Sequence, residues 1–217
     1  MKIYVLIGKS ATGKDTLYRK LLEDIRINFI PIITYTTRPI RKGEQNGVEY
    51  FFKTKEEYEK TLKKNIIEER CYRTVYGDWY YYMVKDEQID INSDNKYILI
   101  GTLPTFLALK KYYGEENIIP LYIEVDDDIR LIRAIKREKQ QKEPKYEELC
   151  RRFLADAKDF TDEELSKAKV SKKYNNFNIK ECIEEIIDDI NNEEKDKRYY
   201  YRVFRNGGIL WIKNRLT

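Results

Sequence analysis

Residues 2–16 read KIYVLIGKSATGKDT, and the rest of the chain is organised around them. Lys2 to Ile7 is a short run dominated by apolar and β-branched residues, the pattern of a buried strand. Gly8-Lys9-Ser10-Ala11-Thr12-Gly13-Lys14 then matches G-x-x-x-x-G-K, and a helical pattern follows at once. The glycines let backbone N–H groups curl around phosphate oxygens, Lys14 supplies positive charge, and the new helix points its positive end at the anion. Strand, loop and helix in that order predict a nucleoside triphosphate, or a similar polyphosphate, as ligand. The ligand set is Gly8, Ser10, Ala11, Thr12, Gly13, Lys14, Asp15 and Thr16.

Outward from this loop, strands and helices alternate. Leu17, Leu21 and Ile25 line one face of a helix from Thr16 to Ile27. Phe29 to Thr34 reads as a second strand, with Pro31 placing it at a sheet edge. Thr54 and Glu57 form a capping box that opens a helix. Ile66 to Tyr72 and Val75 to Val84 read as paired strands around Gly77. Tyr97 to Ile100 and Ile118 to Val125 are further strands, each followed by a helix. Ile129 to Glu138, Tyr146 to Lys158 and the isoleucine-rich segment from Ile179 to Ile190 are helical. The pattern predicts an α/β fold, a three-layer α/β/α unit with a parallel core sheet, an inserted strand-rich subdomain and a helical lid. The expected division is a domain over 1–192, with core 1–33, 91–125 and 169–192, an inserted subdomain over 34–90 and a lid over 126–168. Residues 193–217 follow as an extension, where Asn206-Gly207 signals a hairpin turn.

Composition narrows the chemistry. The 217 residues include 42 Lys and Arg and 38 Asp and Glu, a net charge of +4, too mild for a nucleic-acid signature. Three cysteines without metal-ligand or redox spacing, and no long apolar run, suit a reducing cytoplasm and no membrane partner. Histidine is absent, which excludes histidine triads, zinc–histidine sites and imidazole acid–base catalysis. Any reaction must proceed by positioning and electrostatics.

A second anion site follows the first. In Thr36–Phe52, TTRPIRKGEQNGVEYFF, Arg38 and Arg41 can converge on one anion with two planar forks of donors. Tyr50 can add a hydroxyl, and Glu44, acceptor-only when ionised, is suited to buttress an arginine. Two phosphate sites in one chain point to phosphoryl transfer between two bound substrates. Within Ile129 to Glu138, Arg130, Arg133 and Arg137 share one helical stripe and Leu131, Ile132 and Ile135 the opposite one, so the helix can pack by its apolar side and present guanidinium groups inward.

The segment over 36–52, the phosphate loop, Tyr76-Gly77 and the later arginines together resemble the guanylate kinase family, the ATP-to-GMP phosphotransferases. The resemblance spans about residues 1–191. It implies that Arg38, Arg41, Glu44 and Tyr50 hold the acceptor phosphate, with Tyr76 as a second tyrosine. Thr34 then contacts guanine and Glu68 reads its N1–H and N2–H edge. Lys14, Arg133, Arg137 and Arg152 act on the transferred group, and Mg²⁺ falls to Asp15 or Thr16. Its implied partners are small-molecule nucleotides, with a homodimer compatible and nucleic acid not expected. Two departures stand out. Asp15 replaces the family's hydroxyl residue after the loop lysine, and Gly101-Thr102 stands where the family carries paired aspartates. Both departures resemble ribosyl bisphosphate phosphokinases, the alternative activity. A binding module without turnover is the other alternative.

Overall fold

In the computed structural model the described residues are 1–41, 43–61, 63–74 and 77–204. β1 (Lys2–Ile7) lies at the centre of a five-stranded parallel sheet. It pairs with β7 (Lys96–Ile100) on one side and β8 (Ile118–Glu124) on the other, Val5 standing opposite both Leu99 and Pro120. β2 (Ile30–Pro31) and β9 (Lys173–Asn175) form the two edges, so the order is β2-β7-β1-β8-β9. The expected six-residue second strand shrinks to these two residues. Pro31 has no N–H to give the ladder, and its place is the edge that its chemistry demands.

Both faces of this sheet are covered, which is why β1 is apolar at successive positions and not in alternation. Ile3, Val5 and Ile7 face α3 (Leu103–Tyr113), against Leu103, Phe106 and Leu109. Tyr4 and Leu6 face Leu17 and Leu21 of α1 (Lys14–Glu23) and the isoleucines of α7 (Ile179–Phe204), including Ile186 and Ile187. α1 stops at Glu23, and Ile25, assigned by spacing to its apolar face, is 92% exposed. Two sharp approaches hold the phosphate loop to this core. Gly8 (φ +149°) lies so close to β8 that a Cβ would sit 2.4 Å from the Ile123 carbonyl oxygen. Gly13 (φ +90°) ends the loop, and a Cβ there would sit 2.6 Å from Asn176 Nδ2.

The inserted piece is a separate mixed sheet of order β4-β3-β6-β5. It is built from β3 (Tyr35–Thr36), β4 (Phe51–Phe52), β5 (Ile66–Thr74) and β6 (Gly77–Val84), with α2 (Lys55–Glu59) opened by the capping box of Thr54 and Glu57. α4 (Asp127–Lys139), α5 (Tyr146–Asp159) and the short α6 (Asp162–Lys167) follow β8.

Two expectations require correction. On α4 the buried residues are Arg130 and Ala134, while Ile132 is 52% exposed and Leu131 and Ile135 only half-buried, so the expected apolar stripe is not the face that packs most closely. Arg130 can be buried because partners surround its charge, as described below. In the C-terminal extension, α7 carries helix through residues 198–204, the expected first arm of the hairpin. A helix satisfies its own backbone, whereas a hairpin arm needs a paired strand. The Asn206-Gly207 turn and the second arm lie outside the described residues.

Candidate active site

The phosphate loop is held in a curl with its donors turned inward. Ala11 (φ 64°) and Gly13 (φ 90°) take the left-handed conformation, and α1 starts at Gly13 without a side-chain cap. Its first N–H groups are therefore left for an anion. The Lys14 ammonium donates to the carbonyl oxygens of Gly8 (2.7 Å) and Lys9 (2.8 Å). Thr12, 1% exposed, donates its hydroxyl to Lys9 O (2.9 Å). Asp15 and Thr16 are exposed at the head of α1.

Burial lowers the Lys14 ammonium to about 8, against the opposing pull of Asp15 and Asp156 and with a further push from Arg152 and Arg130. The sign has two consequences. Between about pH 8 and the ordinary lysine range the unfolded chain holds the extra proton, so this group makes the unliganded fold more stable as pH rises. A triphosphate seated on Lys14 restores the charged form, so ATP binding should take up about one proton at about pH 9 and weaken as pH climbs above about 8. Calorimetric titration in buffers of different ionisation enthalpy measures both. Proton uptake of zero with pH-independent affinity would remove Lys14 from the donor's contacts.

Three side chains from distant segments close around the loop; spacing places Arg130 on the arginine stripe, and the sequence singles out neither Asp156 nor Asn176. Asp156 of α5 accepts from the Ser10 N–H (2.7 Å) and from Arg130 Nη1 (3.1 Å). Arg130, 1% exposed, also donates Nε to Asp127 (2.7 Å) and lies with its guanidinium 4.0 Å from the Phe153 ring centroid. Asn176, at the end of β9, donates to Thr12 O (2.7 Å) and accepts from Arg133 Nη2 at its backbone oxygen (3.1 Å). Of the expected lid arginines, Arg133 thus joins the loop through Asn176, and Arg152 donates to Ser10 Oγ (3.2 Å). Arg137, in the last turn of α4, is exposed, and among the described residues it is not drawn onto the loop.

The inserted sheet presents the second set. Arg38 is 3% exposed and engages Glu44 through both Nη atoms, at 3.0 and 2.8 Å. Its guanidinium lies 5.6 Å from the Tyr50 ring centroid and 5.4 Å from that of Phe52. Glu44 also accepts from the Arg41 N–H (2.8 Å), and Arg38 and Arg41 together hold its carboxyl below the usual range against the effect of burial. Arg41 itself is exposed. Tyr50 is raised by burial, and the charges around it are Arg38, Arg70 and, from the phosphate loop, Asp15. Thr34 accepts at its carbonyl from the Phe51 N–H (2.9 Å), tying β4 to the strand before it.

Tyr76 lies outside the described residues. The tyrosine that the structure sets beside Tyr50, on the side of Arg38, is Tyr81 of β6, which packs edge-on to Tyr50 at 5.6 Å. Glu68, 7% exposed in its side chain, faces Arg70 Nε at 2.7 Å; its neighbour Glu69 is exposed and accepts from Tyr58 OH. Burial raises the Glu68 carboxyl, opposed by Arg70 and by the Thr105 hydroxyl.

The family model described as "Guanylate kinase" matches residues 1–176, most of the chain. The chain belongs to the guanylate kinase family. That family is one of phosphotransferases that bind nucleotides and use ATP. The guanylate kinase of Porphyromonas gingivalis is 35% identical over 115 residues, which is 52% of this chain and 60% of that protein. That of Mycoplasma genitalium is 30% identical over 144 residues, 65% of this chain and 58% of the relative. The chain thus spans less than two thirds of the curated relatives it matches. The crystal structure of guanylate kinase from Anaplasma phagocytophilum superposes with a TM-score of 0.61 at 22% identity, covering 88% of this chain and 85% of the other. This likeness shows the fold: a parallel sheet with a separate mixed subdomain. Among the described residues no helix is long and apolar enough to cross a membrane.

Proposed function

We propose that this protein is a cytoplasmic, ATP-dependent nucleoside monophosphate kinase that transfers the γ-phosphoryl group to GMP or dGMP. The observation that carries the reading is the pair of anion-suited clusters in one chain: a phosphate loop with the Lys14 ammonium at its centre, and a buried Arg38 held by Glu44 beside Tyr50 and Tyr81. An acceptor phosphate held by Arg38, Arg41, Tyr50 and Tyr81 would then face a donor seated on the loop. Residues 34–90 act as the acceptor subdomain and 126–168 as the lid.

The reaction needs no general base. A nucleoside monophosphate is largely dianionic near neutral pH, its second pKa being about 6, and is itself the nucleophile. What the protein must do is bring acceptor oxygen and γ-phosphorus into line, balance charge and keep water out. Lys14, Arg133 and Arg152 supply the cations on the donor side, with Arg137 reaching in as the lid closes. A divalent cation of the kind the family would employ fits here. Mg²⁺ is commonly held by one or two carboxylates with the remaining ligands from phosphate and water, and Asp15 is a single exposed carboxylate at the loop's mouth, with Thr16 beside it. When bound, such an ion neutralises charge on the transferred group.

The test is ATP consumption across GMP, dGMP, AMP, UMP, CMP and ribosyl bisphosphate. GMP and dGMP should exceed the other nucleotides by at least about 100-fold in kcat/KM, the scale on which a site built around hydrogen bonds rejects analogues. Transfer confined to ribosyl bisphosphate would replace the proposal, and ATP binding without transfer to any acceptor would reduce the protein to a binding module.

A further inference from the structure

Beside the proposed acceptor site the paired aspartates expected at Gly101-Thr102 are absent, and a guanidinium stands next to the retained Glu68. Thr102 occupies the position where the resemblance calls for a carboxylate, and its hydroxyl accepts from Arg70 Nη1 at 3.2 Å. The same Nη1 reaches Tyr72 OH at 3.4 Å. Arg70 and Glu68 approach to 2.7 Å, but off-axis, so Glu68 Oε1 and Arg70 Nε are buried and without hydrogen-bond partners. The nearest carboxylate is thus paired with an adjacent guanidinium, and among the described residues the hydrogen bonds of that guanidinium leave from Nη1, so Nη2 is the donor turned to a ligand. Arg70 stands opposite Tyr81 in the β5–β6 pair, and Tyr81 packs edge-on to Tyr50, which sets Arg70 on the sheet face that carries the Arg38 cluster.

From this arrangement we infer that Arg70 is the specificity-determining residue of the acceptor site. It reads hydrogen-bond acceptors, the O6 and N7 edge of a 6-oxopurine, where a carboxylate pair would read the N1–H and N2–H edge. The inference rests on the proposed monophosphate-kinase reading of the cleft. A guanidinium matches O6 and N7 with two parallel N–H bonds. Hypoxanthine shares O6 and N7 with guanine and lacks only the 2-amino group. Polarity at this end is inverted, and selectivity should follow it.

The experiment compares GMP, IMP and 7-deaza-GMP as acceptors for the full chain and for Arg70→Ala and Arg70→Lys. In the unsubstituted protein IMP should fall within about tenfold of GMP, and 7-deaza-GMP should lose about 10- to 100-fold in kcat/KM, the range for one base-edge pair. Arg70→Ala should lower GMP and IMP together and erase the difference between GMP and 7-deaza-GMP, leaving KM for ATP unchanged. Arg70→Lys should recover part of it. The GMP to 7-deaza-GMP ratio is the diagnostic, because general damage to the fold lowers both acceptors alike. A ratio unmoved in Arg70→Ala would overturn the assignment, as would rejection of IMP by about 10⁴-fold, the mark of a site that reads the 2-amino group. Should no nucleoside monophosphate be phosphorylated, the underlying reading falls and this one with it; transfer indifferent to Arg70 removes this inference alone.

Discussion

Substitution of Lys14 by methionine should reduce phosphoryl transfer by on the order of 10³-fold or more, about 4 kcal/mol of transition-state stabilisation. The side chain keeps its length and loses its charge. In the unliganded loop the ammonium donates to two carbonyl oxygens, those of Gly8 and Lys9, so it already stands at the centre of the curl. A donor's phosphates are the one group that would draw it away with net gain, since burial has weakened its hold on the proton. Single-turnover transfer from ATP to GMP gives the rate, and thermal melting of the variant separates loss of charge from loss of fold. A rate within tenfold of the parent's would show that charge at this position does not act on the reaction.

The second large effect is expected at Arg38. Arg38→Ala should weaken acceptor binding by about 2–4 kcal/mol, a rise of roughly 30- to 1000-fold in KM for GMP, with a smaller change in kcat. It should also lower the melting temperature. Arg38 is 3% exposed and bound by both Nη atoms to Glu44, and removing one member of a buried pair leaves the other desolvated and unmatched. Arg41→Ala is the useful contrast. That side chain is exposed, so its loss should raise KM with little effect on melting. If Arg38→Ala melts early yet binds GMP as the parent does, Arg38 holds the subdomain together and does not meet the acceptor.

How far the molecule could be read from its sequence depends on whether a feature is local. The strand and loop over residues 2–14 are fixed by neighbours within a few positions, and the structure has them where spacing placed them. The Thr54–Glu57 capping box is equally local. Tyr81 was not legible, because which tyrosine stands beside Tyr50 depends on the length of the β5–β6 hairpin. With Thr74 paired to Gly77, the hairpin turns late, and the tyrosine opposite Arg70 is Tyr81, well beyond the turn. Arg130 was legible only as one of an inward-facing arginine stripe. Its near-complete burial was not, because Asp127 and Asp156, the latter 26 positions later, together make that burial tolerable. Asn176 carried no signal at all: its role comes from a 2.7 Å bond to a carbonyl 164 residues away. Two-residue strands such as β3 and β4 exist because partners form them, and no run of residues announces them.

The carboxylate of Asp156 on the Ser10 N–H gives the donor pocket a tenant of its own. On the proposed reading, an incoming nucleotide would not fill a vacant cradle; it would evict a resident anion, and with it a contact by which α5 reaches the loop. Affinity at this end is therefore a contest between two negative groups, and any change that makes the resident easier to dislodge should show up as tighter capture of the visitor.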